Sequence, residues 1–90
     1  MSPTAALSVP IVSVIVEGST VLVVKWPPVR GVDFYSLVIS QQNNTQTLRV
    51  DGEKTMLTDL SPDSTYCLSV RAESSSTVGS YSKPQCVQTA

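Results

Sequence analysis

Between Thr65 and Glu73 the chain reads TYCLSVRAE, with Tyr66, Leu68, Val70 and Ala72 alternating with Cys67, Ser69, Arg71 and Glu73. Successive side chains on a strand point to opposite faces, so this segment has one apolar face and one polar face. A helix would scatter the same residues around its axis. The pattern recurs. Leu22, Val24 and Trp26 share a face opposite Lys25, and Tyr35, Leu37 and Ile39 share a face opposite Ser36 and Val38. The predicted strands are Ile11–Val16, Val21–Trp26, Phe34–Gln41, Thr47–Val50, Thr55–Leu57, Thr65–Glu73 and Gln85–Thr89. Turn-forming residues separate them, including Glu17-Gly18-Ser19, Asp51-Gly52, Ser61-Pro62-Asp63 and the run Ser74–Gly79. Seven short strands without helical periodicity predict an all-β antiparallel sandwich or barrel.

Some apolar residues depart from the two-faced pattern. Val21 and Val23 fall on the outward face of their strand, beside a first strand whose inward face is ambiguous. Ordinary β-propensity accounts for them, since valine suits any pleated surface. An apolar patch for a partner or neighbouring module is the other reading.

The chain has 90 residues, 41% of them hydrophobic, enough for one domain with a thin core. Its formal net charge is −1 and it has no basic cluster, so nucleic-acid binding lacks its electrostatic footprint. With no histidine, the commonest general base and the commonest metal ligand are both missing. No glycine-rich phosphate cradle accompanies the many serines. Asp59 and Asp63 flank a turn, where aspartate is expected to serve structure. Neither an enzyme activity nor a cofactor is expected. Two cysteines alone are too few for a structural zinc site, so no metal is expected either.

The start, MSPTAALSVP, lacks the features of a signal peptide, and the longest apolar stretch, IVSVIV, is too short to cross a bilayer. Residues 1–9 read as an N-terminal linker and residues 10–90 as the domain. The abrupt ending VQTA reads as that of a module within something longer.

From Pro10 to Thr89 the chain resembles a fibronectin type III domain. TVLVVKWPP is similar to the family's strand B, which ends in a core tryptophan followed by prolines, here Trp26. FYSLVIS looks like strand C, with its inward tyrosine at Tyr35. Leu60, Pro62, Tyr66, Val70 and Ala72 occupy a pattern similar to the tyrosine corner and the strand F that follows it. The resemblance implies a seven-stranded immunoglobulin-like sandwich in which Trp26, Tyr35, Leu60, Pro62, Tyr66 and Val70 form the structural framework. Pro62 sets a turn angle, and Tyr66 needs a partner for its hydroxyl, which nearby backbone can supply. An immunoglobulin domain would join strands B and F through a disulfide, but no cysteine precedes Trp26.

The two cysteines are Cys67 and Cys86. If they face each other across a hairpin of strands F and G, Glu73 falls opposite Ser80 and Ser74–Gly79 becomes the loop. Opposed residues lie within disulfide reach. Alternation puts Cys67 on the outer face, away from Tyr66 and Leu68. A disulfide is therefore expected, and with it an oxidising compartment. The alternative is a pair of free thiols in an intracellular module.

Asn43-Asn44-Thr45 is an N-glycosylation sequon in a predicted turn, with Asn43 as the acceptor; a plain polar turn is the alternative. Arg30-Gly31-Val32-Asp33 approximates an Arg-Gly-Asp ligand, but Val32 interrupts it, and no integrin site is expected. The resemblance implies an extracellular or cell-surface module, one of several in tandem, that spaces its neighbours and binds or adheres to proteins. Loops B–C (Pro27–Asp33) and F–G (Ser74–Ser82) are the expected contacts. The implied partners are an unidentified protein and neighbouring domains of the same chain, with no nucleic acid and no membrane contact by this module itself. An intracellular muscle or scaffold module, a non-catalytic appendage to a carbohydrate enzyme and, last, a receptor ligand-binding module are the alternatives. The latter lacks the duplicated Trp-Ser signature, since Gly79-Ser80-Tyr81-Ser82 stands in its place.

Overall fold

The computed structural model describes residues 7–42 and 44–90. Its strands are β1 (Ser13–Val16), β2 (Leu22–Lys25), β3 (Phe34–Gln41), β4 (Asn44–Val50), β5 (Lys54–Leu57), β6 (Thr65–Glu73) and β7 (Gln85–Gln88). They form a three-stranded sheet in the order β1-β2-β5 and a four-stranded sheet in the order β4-β3-β6-β7. Every pairing is antiparallel. The two sheets pack face to face around one core.

Strand parity builds that core. Leu22, Val24 and Trp26 meet Tyr35, Leu37, Ile39, Leu68, Val70 and Ala72, all of them buried. Each large side chain removed from water contributes roughly 1.5–3 kcal/mol. Trp26 meets Tyr35 edge to face, with ring centroids 5.2 Å apart. Val12 is buried and Val14 packs against the core, which resolves the first strand: its even-numbered residues face inward. Leu7, in the segment read as a linker, also packs on the core.

Most strand ends move by a residue or two from the expected spans, and two departures are larger. β4 begins at Asn44, earlier than the expected Thr47, because Gln41 pairs directly with Asn44. Gln42 supports this tight turn with a φ of 49°. The polar residues Asn44, Thr45 and Gln46 hid the strand: β4 is an exposed edge with only Val50 buried. The β6–β7 hairpin also departs from its expected register. Cys67 pairs with Cys86 and Leu68 with Gln85, as anticipated, but Glu73 bridges to Val78 and not to Ser80. Pro84 has no N–H to continue the ladder. The hydroxyl of Ser82 takes over, accepting from the Val70 amide at 3.0 Å, while the Ser82 amide donates to the Val70 carbonyl at 2.8 Å.

Two tyrosines fasten the turns to the core. The Tyr66 hydroxyl accepts a hydrogen bond from the Ser61 amide at 2.7 Å, which closes the corner between β5 and β6. The Tyr35 hydroxyl does the same for the β2–β3 loop, accepting from the Val29 amide at 2.9 Å. Thr89 locks the corner from the other side. Its hydroxyl donates to the Ser61 carbonyl at 2.7 Å and accepts from the Ser64 amide at 3.0 Å. Leu60 packs against the core, whereas Pro62 is exposed and shapes the corner through its backbone alone.

Burial raises the Tyr35 phenol above its usual pKa of 10.0, outweighing the Val29 hydrogen bond that favours ionisation, and Glu53 adds to the rise. The folded chain therefore holds this proton after the unfolded chain has begun to release it near pH ~10. Stability contributed by the protonated phenol is thus lost as pH rises through that range. Tyr35→Phe is expected to cost about 1 kcal/mol at neutral pH and to flatten the alkaline loss, as read from urea midpoints at neutral pH and near pH ~11. Thr89→Val keeps the shape but orphans the Ser64 amide. It should cost about 1–3 kcal/mol in the same assay.

Candidate functional site

The β2–β3 and β6–β7 loops lie at one end of the sandwich and are bound to each other. The Asp33 amide donates to the Glu73 carbonyl at 2.8 Å, and the Asp33 carboxylate accepts from the Ser75 amide at 2.7 Å. Ser74 closes the turn beyond: its amide donates to the Thr77 carbonyl at 2.8 Å, and its hydroxyl accepts from the Thr77 amide at 3.1 Å. Two glycines here have a structural reason. Gly31 has a φ of 83°. A Cβ on Gly79 would stand 3.1 Å from the Ala72 carbonyl oxygen and 3.2 Å from the Leu7 Cβ. The result is a braced loop end whose outward side chains include Arg30, Ser75, Ser76 and Val78. Asp33, the acid of the interrupted Arg-Gly-Asp look-alike, is committed to this brace.

The outer face of the four-stranded sheet satisfies its own charges. Arg49 stacks over the Phe34 ring at 4.3 Å and pairs with Asp51 at 3.0 Å. Arg71 stacks over Tyr81 at 4.6 Å and pairs with Glu73 at 3.4 Å. Glu73 also accepts from the buried Ser36 hydroxyl. The Arg49–Asp51 pair is exposed and contributes little stability, whereas the Arg71–Glu73 pair is part-buried; each guanidinium lies over an aromatic ring. Alternation had marked Arg71 and Glu73 only as surface positions; nothing in the sequence revealed their partners.

Cys67 and Cys86 are disulfide-bonded, with an S–S distance of 2.06 Å and Cα atoms 4.0 Å apart. The bond lies on the outer face of β6 and β7, in a row with Ser40 and Thr45. Asn43, the sequon acceptor, lies outside the described residues; Asn44 and Thr45 are exposed on β4. Beside them a groove of about 560 Å³ runs over Ile39, Leu60 and Tyr66. Among the described residues, no cluster of His, Cys, Asp or Glu would hold a metal ion. Trp26 Nε1 is buried without a hydrogen-bond partner among them, so the core tryptophan serves packing.

Two antiparallel sheets of three and four strands, with a tyrosine fastening the corner, define an immunoglobulin-like sandwich of fibronectin type III topology. The family model described as "Interferon-alpha/beta receptor, fibronectin type III" matches residues 6–90, and the chain belongs to that family. Solved structures agree on the fold. The human collagen alpha-1(XX) fn3 domain superposes with a TM-score of 0.86 at 24% identity, covering 99% of this chain and 90% of that one. The FN5 domain of Drosophila Lar gives 0.79 at 24% identity, covering 93% and 97%. The chicken CNTN1 FN1-FN3 domains give 0.82 at 27% identity over 91% of this chain. The chain spans only 32% of that CNTN1 fragment. No curated protein matches significantly. Domains of this type are commonly structural or binding modules and typically non-catalytic.

Replacing both cysteines with serine is expected to lower stability by about 3 kcal/mol, the order given by loop closure. Comparing urea midpoints of the double variant and of the native chain under non-reducing conditions measures this. Asp33→Ala removes the carboxylate half of the brace, leaving the backbone bond to Glu73 and the core in place. The amide of Ser75 should then exchange with deuterium at least about tenfold faster, with the core amides unchanged.

Proposed function

We propose that this chain is a non-catalytic ectodomain module that spaces neighbouring domains and binds proteins through its braced loop end. The observation that carries the reading is the Cys67–Cys86 disulfide, since such bonds persist in secreted and cell-surface proteins and are rare in the cytosol. The intracellular alternative calls for free thiols, whereas the structure has no free cysteine. The loop end suits recognition because its backbone is ordered before any partner arrives, which lowers the entropic cost of binding. Arg30 and Val78 then present a cation and an apolar side chain on a fixed frame. Adhesion to another cell-surface protein is the form of binding this reading favours.

A second reading, a receptor module whose loop end binds a protein ligand, is favoured by the family match to an interferon-receptor domain. In either case Asn43, the acceptor of the sequon Asn43-Asn44-Thr45, serves as a glycosylation site.

Secretion from a mammalian cell provides the test. The chain should emerge with an intact mass lower by two hydrogens and no thiol that reacts under denaturing conditions, and an N-glycosidase should reduce its mass at Asn43. Two titratable thiols in the secreted chain would refute the ectodomain reading; insensitivity to the glycosidase would remove the glycan alone.

A further inference from the structure

The outward positions of the three-stranded sheet are Ser13 and Ile15 on β1, Val23 and Lys25 on β2, and Lys54 and Met56 on β5. They form two rows across the sheet. Ile15, Val23 and Met56 make an apolar row, in which Ile15 is 41% and Met56 59% exposed. Val23, between Ile15 and Met56 in the row, is only 6% exposed although it faces outward. The second row sets Lys25 directly opposite Lys54, with Ser13 beside them.

Like charges directly opposed across strands are unfavourable. The ion pairs among the described residues join Arg49 to Asp51 and Arg71 to Glu73, so neither lysine has an acidic partner there. No outward position within these strands is acidic; Glu17, just beyond β1 with the same parity, borders the apolar row at the end away from the lysines. The four-stranded face neutralises its arginines internally; this face leaves its lysines open to a partner.

We propose that the outer face of the β1-β2-β5 sheet docks an acidic, extended segment of a partner protein. A carboxylate between Lys25 and Lys54 would relieve their repulsion. An apolar side chain two residues along would reach the Ile15–Val23–Met56 row, because the two rows stand one strand repeat apart, about 6.7 Å. The same face of a second copy carries lysines and no carboxylate within its strands, so it offers these lysines no counter-charge. The surface is separate from the loop end and does not depend on the compartment.

The test titrates the isotope-labelled chain with a short peptide in which Glu alternates with Leu, and with its Gln counterpart. Saturable NMR shifts are expected for the Glu peptide alone, confined to Ser13–Val16, Leu22–Lys25 and Lys54–Leu57. Affinity should fall as NaCl rises from roughly 0.05 M to roughly 0.5 M. The double variant Lys25→Glu with Lys54→Glu should bind at least about tenfold more weakly with an unchanged melting transition, both lysines being exposed. Met56→Ser supplies a second variant directed at the apolar row, expected to weaken binding without altering the salt dependence. Equal binding of the Gln peptide, shifts mapping to another face, or no binding by the peptide would each overturn the proposal. So would association only with phosphatidylserine vesicles, which would make the face a membrane contact.

Discussion

The hydrogen bond from the Ser61 amide to the Tyr66 hydroxyl organises this molecule. It joins a turn at the surface to a ring in the core, and so determines where β6 begins and which of its residues face inward. Asp59 and Asp63, on either side of that corner, both adopt positive φ, at 57° and 50°. Side chains with short polar groups tolerate that conformation, and Asp63 adds a hydrogen bond from Gln88 on β7. With the corner set, Tyr66, Leu68, Val70 and Ala72 enter the core, and Cys67 must face outward. The disulfide is thus a consequence of the corner as much as of the cysteines. Thr89 returns the end of β7 to the same turn, so the corner also anchors the strand that carries Cys86.

Tyr35 repeats the device at the opposite end, where it fastens Val29, while Asp33 fastens the neighbouring loop. The sandwich is therefore pinned at both ends by tyrosine hydroxyls whose rings are buried. Rigidity of this kind suits a spacer. It also leaves binding to side chains that project from a fixed frame rather than to mobile segments.

The two outer faces differ in how they treat charge. On the four-stranded sheet each arginine lies on an aromatic ring and beside an acid, which leaves little for a partner to neutralise. On the three-stranded sheet two lysines meet across paired strands beside exposed Ile15 and Met56. Folding has resolved the first arrangement and left the second unresolved. That asymmetry separates a self-contained face from one that is incomplete.

Much of the fold is legible along the chain because alternation is a local property. Each residue's parity depends only on its position in its own strand, so TYCLSVRAE by itself separates Tyr66 from Cys67. The spacing of Leu60, Pro62 and Tyr66 marks the corner for the same reason. Other features depend on neighbours distant in sequence, and no local pattern encodes them. Ser82 and Thr89 look like surface residues until the β7 register buries their hydroxyls against β6 and the corner. Asn44 looks like loop until Gln41 pairs with it. Lys25 and Lys54 are ordinary exposed lysines until β2 and β5 set them side by side. The order of residues determined which faces are apolar and that Cys67 turns away from the core. The tertiary structure alone decided what stands opposite each outward side chain, because cross-strand register arises only when separate strands are brought together.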